Sequence, residues 1–254
     1  MPKPDRRPVC LVTGAGRRIG AAIATGLGDA FDVAVHYKSS ADEARSVVAA
    51  IAAAGGRAQA FRADLADAGA AKGLVAEVAR EMGAIDLLVA SASAFDYDTP
   101  STFDPAAMRR LLDVNLVAPL VLAQALGEHG SADATLVLML DNKVVSLNPD
   151  FFSYTLAKVA LRGAVDMLAM HYRGRMRVCG VAPGVTLVSG DQSRENFERS
   201  WRHTLTGAGP TPDDIASTVR FVWQTKSLNG EIVVLDGGQH LMSLERDVAF
   251  VVDR

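Results

Sequence analysis

The sequence predicts an α/β fold, a doubly wound parallel sheet of about seven strands with helices on both faces. Three observations carry this. Short β-branched apolar runs alternate with longer Ala- and Leu-rich segments of helical period almost from end to end. The runs are continuously apolar rather than alternating, the pattern of strands covered on both faces. With 254 residues, 49% apolar and 22% charged, the chain is long enough for one well-buried core and too apolar for intrinsic disorder.

The strand runs are 9–13, 32–37, 57–62, 86–90, 135–140, 177–182 and 231–236, and the helical segments are 17–29, 41–54, 66–82, 105–129, 153–173 and 212–224. No repeat or linker divides them, so 1–254 reads as a single domain. A polar, Pro-rich lead of residues 1–8 is expected to be flexible, and 186–212 is too polar and uneven for core, which suits a substrate lid. The tail 241–254, with apolar Val248-Ala249-Phe250-Val251-Val252, suits docking on a neighbouring subunit or packing on its own chain; both readings stay open.

Lys plus Arg (26) nearly balance Asp plus Glu (29), and the net charge of -3 argues against a nucleic-acid partner. No stretch is expected to approach the ~18 apolar residues of a membrane span. Cys10 and Cys179 sit inside apolar runs and read as buried core residues of a reducing compartment, the cytoplasm. The five histidines show no metal-ligand spacing, and no metal is expected.

In such a sheet ligands bind beyond the carboxyl ends of the strands. After the first run comes Thr13-Gly14-Ala15-Gly16-Arg17-Arg18-Ile19-Gly20, opening a helix. The glycines permit a tight turn close to a pyrophosphate, and the helix N-terminus offers free N–H groups. The second strand ends His36-Tyr37-Lys38-Ser39-Ser40, where a cation and hydroxyls suit the 2′-phosphate of NADPH rather than the bare ribose of NADH. Arg17 is a candidate second charge for that phosphate. At Asp64-Leu65 the carboxylate either accepts from an adenine amino group or caps the helix from 66. Tyr154 and Lys158, spaced i,i+4, share a helix face, so the ammonium is expected to lower the phenol pKa, by ~3 units for titration near neutrality. Asn115, polar within a long apolar helix, is read as holding a water or a carbonyl next to that Lys, or as bending the helix.

Across nearly its whole length the chain resembles the short-chain dehydrogenase/reductase family. The resemblance rests on Thr13-Gly14 with Gly20, Asp64-Leu65, Asn115, Tyr154 with Lys158, Ala182-Pro183-Gly184 and Asp236-Gly237-Gly238, in the family's order and approximate spacing. It implies an Asn–Ser–Tyr–Lys tetrad in which Tyr donates the proton, Ser orients the substrate and Lys holds the ribose. It also implies an NADP site of Rossmann type reaching to Ser91, Ala92, Pro183 and Gly184, and a homotetramer or dimer built on the helices around 105–129 and 153–173.

Two departures matter. Thirteen residues before Tyr154, where the family's Ser stands, this chain has Asp141. That Asp is similar to the pteridine and dihydromonapterin reductases of the family, as are Arg17-Arg18, His36-Tyr37 with Ser40, and Ser93-Ala94-Phe95. The resemblance gives Ser93 and Phe95 contact with a pterin, Phe95 by stacking, and takes Arg18 to the phosphate and pterin. Independently, an anionic Asp repels a developing alkoxide, whereas an amino-substituted imine ring offers it N–H donors. Buried beside the cofactor, Asp141 would rise in pKa and share the proton donation with Tyr154; capping a turn before Asn142 is the alternative. Second, Ala90-Ser91-Ala92 replaces the family's Asn-Asn-Ala, removing amides that brace the sheet, with Ser91 as a partial substitute. The expected activity is reduction of a pterin-like small molecule by NADPH. The alternatives are a carbonyl or 3-oxoacyl reductase, with Arg194, Arg199 and Arg202 meeting an acidic carrier, and a catalytically weak NADPH-binding sensor.

Overall fold

A computed structural model describes residues 6–253; residues 1–5 of the expected flexible lead lie outside them, as does the last residue of the tail. The strands β1 (Val9–Val12), β2 (Asp32–Tyr37), β3 (Arg57–Arg62), β4 (Ile85–Ala90), β5 (Gly130–Met139), β6 (Met176–Pro183) and β7 (Ile232–Leu235) form one parallel sheet in the order β3-β2-β1-β4-β5-β6-β7. The helices are α1 (Arg18–Leu27), α2 (Ala41–Ala53), α3 (Ala68–Met82), α4 (Pro105–Leu112), α5 (Ala118–His129), α6 (Phe152–His171), α7 (Arg194–Arg202), α8 (Pro212–Gln224) and the short α9 (Val248–Val251).

Alternate residues of each strand serve opposite faces. Cys10, Val12, Val33 and Val35 pack with Ile23, Leu27, Ile51 and Ile215 beneath α1, α2 and α8. Leu11, Leu88, Leu136 and Leu138 pack with Leu74, Leu122 and Leu161 beneath α3, α5 and α6. Covering both faces makes the runs continuously apolar. Both cysteines are free and buried, and burial pushes their thiols up. The chain runs outward from β1 through β2 to β3, then crosses to β4 on the other side of β1, and this reversal opens a cleft at the carboxyl ends of the strands.

Three features differ from expectation. The helix predicted over 105–129 is broken by a π turn, Asp113–Val117, centred on Asn115. The whole stretch Pro105–His129 is long and apolar enough, by length and composition, to cross a membrane, contrary to the expectation of no such stretch; its inner face packs Leu122, Ala123 and Leu126 into the core. Third, the stretch 186–212 contains α7. Its buried residues are Asn196 and Ser200, so no apolar period betrays it. Ser193 caps it by accepting from the Asn196 N–H at 3.1 Å. The tail turns back on its own chain, where the Asn196 Nδ2 donates to the Ala249 carbonyl at 2.8 Å.

Candidate active site

At one end of the cleft, backbone packs on backbone. Gly14 has φ +66°, and a Cβ there would lie 2.9 Å from the Ala92 Cα; a Cβ on Gly20 would collide with the Gly14 carbonyl. The Thr13 hydroxyl oxygen accepts from the N–H groups of Ser91 (2.9 Å) and Ala92 (3.0 Å). Thus Thr13, not a Ser91 side chain, braces the loop that lacks the two amides. His36 ties this turn to its neighbours: its Nδ1 accepts from the Gly14 N–H at 3.0 Å and its Nε2 lies 3.2 Å from the Ala63 carbonyl. That arrangement requires a neutral imidazole protonated on Nε2, and burial holds His36 down to about 4.

No side chain caps α1 and its first turn has no acid, so its N–H groups remain available to an anion. Gly16 packs against Ser40, where a Cβ would come within 2.8 Å of the hydroxyl. Lys38 pairs with Asp64 at 2.9 Å, both exposed, and a recess of about 290 Å³ beside them is lined by Lys38, Arg62, Ala63 and Asp64. Asp64 accepts from the Ala66 N–H (3.1 Å), while the cap of α3 is Asp67. Arg62 is a cation that the sequence reading did not single out. A glycine turn no Cβ fits, an uncapped helix end and cations at the far rim suit a phosphorylated dinucleotide.

At the other end buried side chains meet. β5 delivers Asp141, whose Oδ1 accepts from the Lys143 N–H at 2.9 Å while Oδ2 accepts from the Tyr154 hydroxyl at 3.0 Å. It therefore caps the turn and meets the phenol at once. Burial pushes the Asp141 carboxyl up against the pull of Lys143. Lys158, one turn along α6 from Tyr154, donates to the Met139 carbonyl at 2.7 Å, and burial brings it down to about 8. The expected lowering of the Tyr154 pKa is not what the protein supplies: burial and the Asp141 carboxylate push the phenol well above its ordinary value. The ammonium lies 5.6 Å from the ring centroid and is spent on a carbonyl.

Asn115 does not reach toward Lys158. Its Nδ2 donates to the Leu111 (3.0 Å) and Ala94 (2.8 Å) carbonyls, and its Oδ1 accepts from the Ser93 hydroxyl (2.7 Å) and the Ala94 N–H (3.2 Å). The π turn presents it sideways to clamp the loop after β4. That loop presents Phe95, 40% exposed, edge-on to Tyr154 at 4.7 Å and stacked on Phe151 at 4.3 Å. Phe151, at the left-handed φ of 54°, was not legible as a site residue.

A cleft of about 1430 Å³ joins the two ends. It is lined by every expected site residue, Ile19, Tyr37, Ser39, Leu65, Pro183 and Gly184 among them, except Gly16, which packs behind the turn, and Asn115, buried beneath the loop. His36, Lys143, Phe151 and residues of the tail line it as well.

The family model for short chain dehydrogenases matches residues 8–199. A crystal structure of the FolM alternative dihydrofolate reductase of Brucella canis, complexed with NADP, superposes with a TM-score of 0.88 at 39% identity, covering 92% of this chain and 94% of that one. An uncharacterized oxidoreductase of Methylorubrum extorquens is 33% identical over 239 residues, 91% of this chain and 96% of the relative. The 3-oxoacyl-[acyl-carrier-protein] reductase of Staphylococcus aureus is 28% identical over 247 residues, 91% and 97% of the two chains.

Proposed function

The chain belongs to the short-chain dehydrogenase/reductase family as an NADP-dependent oxidoreductase, and we propose that it reduces a dihydropterin. One observation carries the substrate: a buried carboxyl, Asp141, shares a hydrogen bond with Tyr154 where a ketone reductase uses a neutral hydroxyl. The likeness to the Brucella protein supports the same reading.

The turn Gly14–Gly20 and the N-terminus of α1 would hold the pyrophosphate, Ser91, Ala92, Pro183 and Gly184 the nicotinamide, and Lys38 with Arg17 and Arg62 the 2′-phosphate. Bound there, the cofactor supplies the hydride. Asp141 accepts ring N–H donors and stores a proton. A phenolate at Tyr154 beside an ionised Asp141 is doubly disfavoured, by burial and by like charge, so a proton leaving the phenol must be replaced from Asp141. Tyr154 thus passes to the ring nitrogen a proton that Asp141 restores. Lys158, held by the Met139 carbonyl, presents its charge to the ribose side. Ser93 and Phe95, on the loop that Asn115 clamps, line the cleft where the pterin would sit, and Arg18 lines it on the cofactor side.

A carbonyl reductase is the second reading, favoured by the Staphylococcus relative. Two of the three arginines that would meet an acidic carrier are already paired, Arg194 with Glu198 (3.2 Å) and Arg199 with Asp253 (2.7 Å). A homo-oligomer fits the exposed Leu156, Met167 and Met170 of α6, and the two buried thiols fit a cytoplasmic protein.

The test is NADPH oxidation with dihydromonapterin, dihydrobiopterin, dihydrofolate, a quinone and an acetoacetyl thioester, with NADH in parallel. Turnover of the pterins alone is expected. Thioester or quinone turnover without pterin turnover would make Asp141 a substitution in a carbonyl reductase, and NADPH binding without turnover would favour a sensor.

A further inference from the structure

A row of aromatic rings leads outward from the Asp141–Tyr154 pair. Phe95 meets Tyr154 edge-on at 4.7 Å, Phe151 stacks on Phe95 at 4.3 Å, and Phe250 lies over Phe151 at 6.4 Å and against Tyr97 at 5.4 Å. The last ring belongs to the C-terminal segment 244–253. Leu244, Asp247, Val248, Ala249, Phe250 and Asp253 line the same cleft as Tyr154 and Asp141.

Two charge pairs set that segment in place, each with a buried partner on the loop between Asp141 and Tyr154. Asp150, its side chain 1% exposed, accepts from the Arg246 Nε (2.7 Å) and Nη2 (2.8 Å), from the Asp247 N–H (2.8 Å) and from the Tyr97 hydroxyl (3.1 Å). Lys143, 8% exposed, sits 2.6 Å from the Asp247 carboxylate and 5.3 Å from the centre of the Phe151 ring. Across the mouth, Asn196 and Arg199 of α7 hold the Ala249 carbonyl and Asp253. The segment therefore spans the cleft from the loop carrying the proton-handling pair to the lid helix. A charge held out of water is costly once its partner is removed. Lys143 and Asp150 therefore favour the tail position in which Asp247 and Arg246 pair with them.

We propose that the C-terminal segment is the specificity-determining outer wall of its own subunit's substrate site, limiting the group carried on the reduced ring to a short one. A substrate seated beside Tyr154 and Phe95 extends its substituent into the part of the cleft lined by Phe151, Lys143, Asp247 and Phe250. The inference takes its substrates from the dihydropterin reading and its geometry from the tail alone.

Steady-state kinetics with NADPH on dihydrobiopterin, with a short hydroxyalkyl group, and dihydrofolate, with a long aryl amide, tests it in the wild type, Phe250→Ala and Asp247→Asn, beside NADPH Kd. The wild type is expected to favour dihydrobiopterin. Phe250→Ala removes the outer ring and leaves both charge pairs, so KM for dihydrofolate should fall about tenfold, with dihydrobiopterin and NADPH shifted less than about twofold. Asp247→Asn should move KM the same way and leave kcat for dihydrobiopterin in place. Equal KM values for both substrates in the wild type, or a ratio unmoved in Phe250→Ala, overturns the proposal; the latter decides even if Asp247→Asn fails to fold. If carbonyls are reduced and pterins are not, the dihydropterin reading falls by itself, and a small and a bulky carbonyl decide the wall by the same ratio. Should no substrate turn over, equal affinity of the NADP+ complex for biopterin and folate, or affinity for neither, overturns it.

Discussion

The two ends of the cleft are built from opposite materials. The cofactor end is backbone fitted to backbone, with Gly14 against Ala92, Gly20 against the Gly14 carbonyl, and the two polar side chains that pin it, Thr13 and His36, neutral. The substrate end is buried charge: Asp141, Lys158, Lys143, Asp150 and Asp247 within one region. A neutral backbone cradle keeps its shape and leaves its N–H groups for an anion. Charged groups held out of water respond to substitution and to pH, which suits proton transfer. Form at one end is set by van der Waals contact, and at the other by electrostatics.

The comparison breaks first at Tyr154→Phe. Loss of the hydroxyl should cut kcat/KM by about 10³-fold, about 4 kcal/mol in the transition state, while NADPH Kd, measured by fluorescence titration, stays within about twofold. Retained activity would remove the phenol from proton transfer and leave the substrate end without its donor.

The cofactor end should fail in acid. The ordinary His36 pKa of 6.5 falls to about 4 in the fold through burial. Between those values the unfolded chain takes a proton that the native chain refuses. Stability from His36 is therefore complete above about pH 6.5 and is lost as pH falls toward 4, by up to about 3 kcal/mol. Denaturant unfolding at pH 7 and pH 4.5 reads the loss, and His36→Gln should flatten it. An equal slope in that variant would assign the acid sensitivity to other groups.

Asp141→Asn sharpens the contrast at the substrate end. Pterin turnover should drop about 10²-fold, with NADPH affinity kept. Wild-type activity should decline as pH rises through the elevated Asp141 pKa, because the stored proton is then gone, and the variant should lose that limb. Unchanged pterin kinetics would take Asp141 out of the mechanism. The smallest effect is expected at the exposed rim. Lys38→Asp should move the NADPH-over-NADH preference about tenfold toward NADH, read as the ratio of kcat/KM values. No shift would leave the 2′-phosphate to Arg17 and Arg62.

Legibility followed the same division. The cradle lies within one stretch, 13–20, and its glycines announce a close approach that any larger residue would block. Tyr154 and Lys158 lie one helical turn apart, and Asp141 ends a strand whose apolar run locates it. Helix α7 escaped because its buried face is Asn196 and Ser200, which carry no apolar period. Lys143 and Asp150 look like surface charges until partners about a hundred residues away cover them, at Asp247 and Arg246. Asn115 stands out as polar in an apolar helix, but the π turn that brings it to Ser93 and Ala94 leaves no local signature.

By itself the sequence determined the seven-stranded parallel sheet, the tight glycine turn after β1 and the pairing of Tyr154 with Lys158 on one helix, because apolar period, glycine and i,i+4 spacing act over a few residues. Only the tertiary structure decided which way the phenol is tuned, which hydroxyl braces the cradle and where the tail lies along the cleft. Those depend on burial and on charges brought together from distant segments, and desolvation exists only once the chain has folded.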